Sequence, residues 1–210
     1  MILASQSPRR LELLREMGIE PVVMPACIDE RPKPGEAPTA LVARLSLEKA
    51  QSVWEGLATG ERTHDVVAAD TVVWLDGTVL GKPPSVEDAM QMLGSLSGRV
   101  HHVSTGVCLI VPGRVASSAP ICYSFVETTD VEFYEVSEAQ AEAYARSKEP
   151  SDKAGAYGIQ GHGRLLVKRI DGDYYNVVGL PVTRVLRELD RLHGNDRLVV
   201  GGLSAERVRA

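Results

Sequence analysis

Apolar positions along the chain fall into short runs that alternate with stretches of helical spacing, a pattern that predicts an α/β fold of the mixed α+β kind. Residues 1–4 read as a brief strand. Ser7 can cap a following helix and Pro8 suits its first position, while Leu11, Leu13, Leu14 and Met17 supply a buried face and Gly18 an end. Residues 21–24 read as the next strand and 25–36 as a polar loop carrying Asp29, Glu30 and Arg31. A longer helix starts near Pro38 and runs through Leu41, Leu45 and Lys49 to about Leu57.

Val66-Val67-Ala68-Ala69 is the continuous apolar run of a strand covered on both faces, and Val72 to Leu75 continue it. Asp76-Gly77 is a two-residue hairpin turn into Thr78-Val79-Leu80. Ser85 with Asp88 opens a capped helix that ends near Leu96, and Ser137 with Gln140 opens another that stops near Ser147. Between them, long strand patterns at 99–111 and 116–133 flank the turn-like Pro112-Gly113. Residues 148–164 form a Gly-rich polar connection. Residues 165–170 and 174–178 read as paired strands around Asp171-Gly172-Asp173, and Gly179-Leu180-Pro181 leads into a closing helix over 182–192. No repeat, low-complexity block or linker divides the chain. Residues 1–192 are therefore expected to form one domain with two lobes about a groove, and 193–210, which lack a convincing period, a tail of unknown role.

Composition narrows the class. With 44% hydrophobic residues in 210, the chain can bury a sizeable core. Its 23 Lys and Arg against 28 Asp and Glu give a net charge of −5, which lacks the basic footprint of a protein built to grip nucleic acid. Three scattered cysteines, Cys27, Cys108 and Cys122, suit neither a disulfide framework nor a zinc site. No apolar run reaches membrane-span length and no signal peptide is evident, so a soluble, cytoplasmic protein is expected.

Several segments can carry chemistry. Ser5-Gln6-Ser7-Pro8-Arg9-Arg10 lies between a strand and a helix start, where free backbone N–H groups, hydroxyls and guanidinium groups suit an anion such as phosphate. The same residues also read as ordinary helix-opening chemistry with solvated arginines. Neither a Walker A sequence nor a Rossmann glycine fingerprint is present. Asp70 interrupts an apolar strand and must face a groove or find partners, because an unpaired buried charge is costly; a strand-end Asp bonding a nearby turn is the alternative. Lys82 joins Asp70 on one surface if the hairpin folds back, and is otherwise a loop lysine. Glu30, with Asp29, can add the second carboxylate of a hard-cation site, or be merely solvated. Lys49 lies on the polar side of its helix. His101 and His102 lack the partnered spacing of metal ligands. In the tract from Glu149 to Gly161, glycines let the backbone come close to a ligand, Gln160 offers a donor and an acceptor that match a nucleobase edge, and Tyr157 can stack or pack. A flexible connection fits the same composition.

Leu3-Ala4-Ser5-Gln6-Ser7-Pro8-Arg9-Arg10, Ala68-Ala69-Asp70-Thr71-Val72-Val73, Gly81-Lys82-Pro83, Ser97-Gly98-Arg99, Thr105-Gly106-Val107 and the tracts 152–161 and 176–181 occur in family order. Together they resemble the Maf family of nucleoside triphosphate pyrophosphatases over about residues 1–192. The resemblance implies an elongated mixed β-sheet flanked by helices, two lobes around a central cleft as in inosine triphosphatases, and a homodimer. It implies Asp70 as the proton acceptor and Arg10, Thr71 and Gln160 as the residues that decide the base. Ser7, Arg9, Lys49 and Lys82 are implied to face phosphate, and Glu30 with Asp70 a divalent cation, Mg or Mn. The tract from Asp152 to Gly161 resembles the branch acting on dTTP and UTP rather than the sister branch that prefers 7-methyl-GTP.

The implied reaction is hydrolysis between the α and β phosphates, giving the monophosphate and pyrophosphate, with no nucleic-acid or membrane partner. Two other readings stay open: a non-catalytic nucleotide-binding regulator of cell division that uses the same cleft, and the 7-methyl-GTP branch.

Overall fold

The computed structural model describes residues 1–113, 118–147 and 149–204. Their apolar runs assemble into one seven-stranded mixed sheet made of β1 (Ile2–Leu3), β2 (Val22–Val23), β3 (Val66–Leu75), β4 (Thr78–Leu80), β5 (Val100–Val111), β6 (Ile121–Phe133) and β7 (Val167–Asp171). The order is β2-β1-β3-β5-β6-β7, with β4 paired to β3 alone. β1 runs parallel to β2 and β3, and every other pair is antiparallel. The flanking helices are α1 (Pro8–Glu16), α2 (Pro38–Gly56), α3 (Val86–Leu96), α4 (Glu138–Ala145), α5 (Tyr174–Val178), α6 (Val182–His193) and α7 (Arg197–Ser204). Among the described residues, no helix is long and apolar enough to cross a membrane.

Side chains of a strand alternate between faces, and β3 is apolar on both. Val66, Ala68 and Val72 meet α2 through Ala50, Val53, Leu41, Val42 and Leu45. On the other face Val67, Ala69, Val73 and Leu75 join a larger core with Leu14 of α1, Leu93 of α3, Tyr144 of α4 and Val185 and Leu189 of α6. The same alternation sends Asp70 toward α2 and Thr71 to the opposite face. β1 pairs with β3 only at Val66 and Val67, and β4 only from Val73 to Leu75. Residues 68–72 therefore have β5 along one edge and no strand along the other.

Local signals account for most boundaries. Asp76 and Gly77 both take positive φ, 51° and 78°, as the tightest hairpin turns require. Ser85 Oγ accepts the Asp88 N–H at 3.0 Å, and Ser137 and Gln140 form a reciprocal capping box. Gly194 ends α6 in the left-handed conformation.

Elsewhere the structure departs from the sequence pattern. Ser7 holds the N-cap position of α1, yet its side chain makes no capping bond. Residues 174–178 form helix α5 instead of a strand: the Asp173 carboxylate accepts the Tyr175 N–H at 2.7 Å and starts a turn, overriding the strand preference of Tyr-Tyr-Asn-Val-Val. Leu165 ends a 3₁₀ turn (His162–Leu165), so β7 begins at Val167. The connection before it contains two more such turns, Glu149–Asp152 and Ala154–Ala156. Part of the expected tail is helix α7, capped from outside itself: the Asp190 carboxylate of α6 accepts the N–H groups of Leu198 and Val199, each at 2.9 Å. Leu198 and Val199 pack against the larger core. The expected strand start at Ala116, Lys148 in the polar connection, and residues 205–210 of the tail lie outside the described residues.

Gly106 stands opposite Asp70 in the β3–β5 register, and a Cβ there would overlap the Val42 carbonyl of α2. Only glycine lets the helix settle this low over the sheet. Gly106→Ala is therefore expected to destabilise the fold by about 1–3 kcal/mol, measured by urea unfolding, through overpacking against a backbone that cannot move alone.

His101 is fully buried beside Phe133, with Nε2 2.8 Å from the Tyr157 hydroxyl. Burial first, then the neighbouring His102, hold it down to about 4 from 6.5, against a smaller opposing pull from Asp130. The unfolded chain takes up this proton near 6.5 and the folded chain not until about 4, so stability is complete above that window and declines as pH falls through it. The expected loss is about 3 kcal/mol by pH 4. Urea midpoints of wild type and His101→Phe between pH 4 and 7 check this: the decline should be shallower in the variant by that amount.

Candidate active site

The unpaired stretch of β3 opens onto a cleft of about 590 Å³, a size typical of small-molecule sites. Its walls come from the segment after β1, the start of α1, the loop before α2 and the tract 152–161.

On the α2 side, Lys49 reaches Asp70. Its Nζ donates to Asp70 Oδ1 at 2.7 Å and lies 2.9 Å from Glu30 Oε1. Lys49 and Asp70 are both buried, whereas the Glu30 side chain is 58% exposed. Asp70 Oδ2 makes no hydrogen bond among the described residues, and Asp70 lines the cleft. Asp29 plays no part here, because its carboxylate is paired with Arg31 at 2.6 Å. Lys49, expected among the phosphate-facing cations, is thus joined to both carboxylates expected at the metal.

On the opposite face, Arg10 is buried and donates four hydrogen bonds. Nε donates to the Gly179 carbonyl at 2.8 Å; one terminal nitrogen donates to the Ala69 carbonyl at 2.8 Å and Ser5 Oγ at 3.0 Å; the other donates to Thr71 Oγ1 at 2.9 Å. Thr71 Oγ1 also lies 2.9 Å from Thr105 Oγ1 and 3.2 Å from the Gly179 carbonyl. Burial lowers the Arg10 pKa from its ordinary value, the Asp70 charge opposes this, and Arg9 adds to it. Arg10 and Thr71 are thereby brought into direct contact, while Gln160 stands on the loop wall of the cleft with an exposed side chain that makes no hydrogen bond among the described residues.

The helix start is arranged for an anion. With Ser7 uncapping and no acid in the first turn, the leading N–H groups of α1 have no side-chain acceptor. Ser7 donates its own N–H to Ser5 Oγ at 3.1 Å, leaving its hydroxyl unbonded among the described residues. Arg9 lines the cleft and lies 3.1 Å from Asp152, which also takes Lys153 at 2.7 Å. Partial burial raises the Asp152 pKa, but the hydrogen bonds from Lys153 and Arg9 outweigh it and leave the carboxyl below its ordinary value. Lys82, past the β4 hairpin, is exposed at the cleft and has no partner among the described residues.

Sequence pattern marks the 149–161 tract yet gives no role to Asp152, Lys153 or Glu149. Charged residues scattered through a loop carry no period, and only the fold shows which of them converge. The glycines also serve a different end from ligand approach: a Cβ at Gly158 would strike Lys153, one at Gly161 the Glu149 carboxylate, and one at Gly163 the Tyr144 hydroxyl. Tyr157 turns inward, its hydroxyl taken by His101, so it is core and offers no polar edge to a base.

Two carboxylates, Glu30 and Asp70, converge at Lys49, and among the described residues no group of three or more His, Cys, Asp or Glu is placed to hold a metal. That donor set fits a hard divalent cation that takes one or two carboxylates and completes its shell with phosphate oxygens and water. It does not fit a zinc-type site.

Comparison with known proteins gives matches over the same span. The family described as Maf-like protein matches residues 1–192. A dTTP/UTP pyrophosphatase of Halalkalibacterium halodurans is 45% identical over 194 residues, covering 92% of this chain and 96% of that one. Others of that name are 44% identical over 201 residues in Agathobacter rectalis, covering 91% and 97%, and 42% identical over 193 residues in Bacillus cereus, covering 92% and 95%.

Removing Arg10 strands the buried carbonyl of Ala69 and leaves that of Gly179 with the Thr71 hydroxyl alone. Arg10→Met is expected to lower stability by about 2–4 kcal/mol in urea unfolding. Arg10→Lys should recover less than half of that, because an ammonium cannot span acceptors on three segments.

Proposed function

The chain belongs to the Maf-like protein family, and we propose that it is a nucleoside triphosphate pyrophosphatase that hydrolyses dTTP and UTP to the monophosphate and pyrophosphate. Its relatives of that name, similar over more than nine-tenths of both chains, support the substrate. The observation that carries the chemistry is the state of Asp70, which lines the cleft: one oxygen is fixed by Lys49, and the other has no hydrogen bond among the described residues.

In this reading the triphosphate lies between the α1 N-terminus, Arg9 and Lys82, whose charges offset the negative charge gathering on phosphate oxygens as the anhydride breaks. Water held at the free oxygen of Asp70 attacks at the α–β anhydride, its oxygen forming a bond to phosphorus as the bridging bond opens. The proton passes to Asp70 and pyrophosphate leaves. Glu30 and Asp70 would hold a Mg or Mn ion, which when bound screens the phosphates and acidifies water. Lys49 keeps Asp70 aligned and ties the α2 side of the cleft to the sheet. Gln160 meets the edge of the pyrimidine, and the Arg10–Thr71 pair forms the floor beside it. A homodimer accompanies this reading through the family resemblance.

Release of pyrophosphate from dTTP, UTP, CTP, GTP and 7-methyl-GTP, with Mg or Mn, tests the proposal beside Asp70→Asn. Turnover should favour dTTP and UTP and fall by about 10²–10⁴-fold in the variant, the range for loss of a general base. Wild-type protein that binds dTTP without product would instead mark a regulator. Activity confined to 7-methyl-GTP would overturn the base assignment while keeping the chemistry.

A further inference from the structure

We propose that Glu149 is a positioning residue for base selection: it holds the loop that carries Gln160 in its reading conformation, a role that rests on the pyrimidine-reading assignment above. Glu149 does not line the cleft, so it acts through the loop and touches no substrate. Its side chain is only 17% exposed, and it gathers donors from the far end of the loop and from Tyr144 of α4. Oε1 accepts the Tyr144 hydroxyl at 2.9 Å and the Gly163 N–H at 3.3 Å, while Oε2 accepts the His162 N–H at 2.9 Å and lies 3.1 Å from His162 Nδ1. Tyr144 extends the reach of the carboxylate, because its hydroxyl accepts the Gly158 N–H at 3.0 Å. One carboxylate thus anchors positions on either side of Gln160, directly or through a single hydroxyl.

The loop is built around that carboxylate. Gly161, next to Gln160, has no room for a Cβ because the Glu149 oxygens occupy the space. Arg164 closes the turn from outside, donating to the carbonyls of Gln160 and Gly161 at 2.6 and 2.7 Å. What remains free is the Gln160 side chain, exposed on a backbone whose neighbours are all fixed. Partial burial pushes the Glu149 carboxyl up, yet the donors of His162, Tyr144 and Gly163 more than offset this and hold it below its ordinary value. A selective base reader needs its donor and acceptor at fixed positions, since rejection of the wrong base depends on leaving polar groups unpaired. Glu149 supplies that fixity from outside the cleft.

Steady-state kinetics on dTTP, UTP and GTP for wild type, Glu149→Ala, Tyr144→Phe and Gln160→Ala provide the test. Glu149→Ala should raise KM for dTTP and UTP about tenfold, keep kcat within about twofold, and cut the dTTP-to-GTP ratio of kcat/KM about tenfold, as Gln160→Ala does. Adding Glu149→Ala to Gln160→Ala should lower that ratio no further, because both act through one contact. A Glu149→Ala enzyme that melts earlier but keeps the wild-type ratio would overturn the proposal, leaving Glu149 a structural residue only. Should Glu149→Ala fail to fold, Tyr144→Phe decides: the ratio should fall about threefold with kcat held, and an unchanged ratio overturns the proposal. A wild-type enzyme without pyrimidine preference, or a Gln160→Ala enzyme with an unchanged ratio, overturns the base-reading assignment itself and this inference with it.

Discussion

A gap in strand pairing governs the site. Over residues 68–72, β3 has a partner on one edge only, and the main-chain groups on its other edge must be satisfied from elsewhere. Arg10 fills that need for the Ala69 carbonyl, and its remaining donors reach Ser5, Thr71 and Gly179. One planar cation thereby ties α1, β3 and the turn before α6 across the break. The break also explains how adjacent residues on opposite faces serve one cleft. With no strand covering this edge, the space beside it is continuous from the α2 face, where Asp70 meets Lys49, to the other face, where Thr71 meets Arg10. A paired edge would have divided Asp70 from Thr71.

Charge in the cleft is only partly paired before any ligand arrives. Five cations, Arg9, Arg10, Lys49, Lys82 and Lys153, face three carboxylates, Glu30, Asp70 and Asp152, a surplus of two in a chain whose net charge is −5. The pairing is uneven. Lys49 is held between two acids and Arg9 shares Asp152 with Lys153, whereas Lys82 has no partner among the described residues. A surplus of positive charge in an acidic protein directs anions to this cleft. A triphosphate outweighs the surplus, and the divalent cation proposed at Glu30 and Asp70 would narrow the difference.

Much of this was legible in the sequence wherever one segment carried its own instructions. The apolar run of β3, the Asp76-Gly77 turn and the Ser85 and Ser137 caps depend on residues within a few positions of one another, and the structure has them. Asp70 stood out because a charge inside such a run needs a reason. What escaped was set from a distance. Helix α7 is capped by Asp190 of another helix, and Arg10 finds its partners at Ala69 and Gly179. At residues 174–178 two local signals competed, and a single Asp173 cap prevailed over a strand-favouring composition. Neither periodicity nor composition ranks such conflicts, and α5 also packs on β5 and β6, which no local pattern reveals.

The glycine-rich tract shows a packing that composition alone does not reveal. Glycines in a polar connection suggest mobility or close approach to a ligand. Here Gly155 is pressed on Val73, and Gly158, Gly161 and Gly163 are pressed on Lys153, Glu149 and Tyr144. The missing Cβ atoms allow dense packing, and the conformational freedom glycine brings to the unfolded chain is lost on folding. Part of the site's backbone order is therefore complete before nucleotide binds, so less ordering cost falls on the binding step. The same reasoning applies on the far side of the cleft, where Thr71 is held by Arg10, Thr105 and Gly179. Discrimination between bases requires both sides to keep their spacing when the wrong base enters. A loop free to shift would pair its polar groups with any base, and a packed one leaves them unsatisfied.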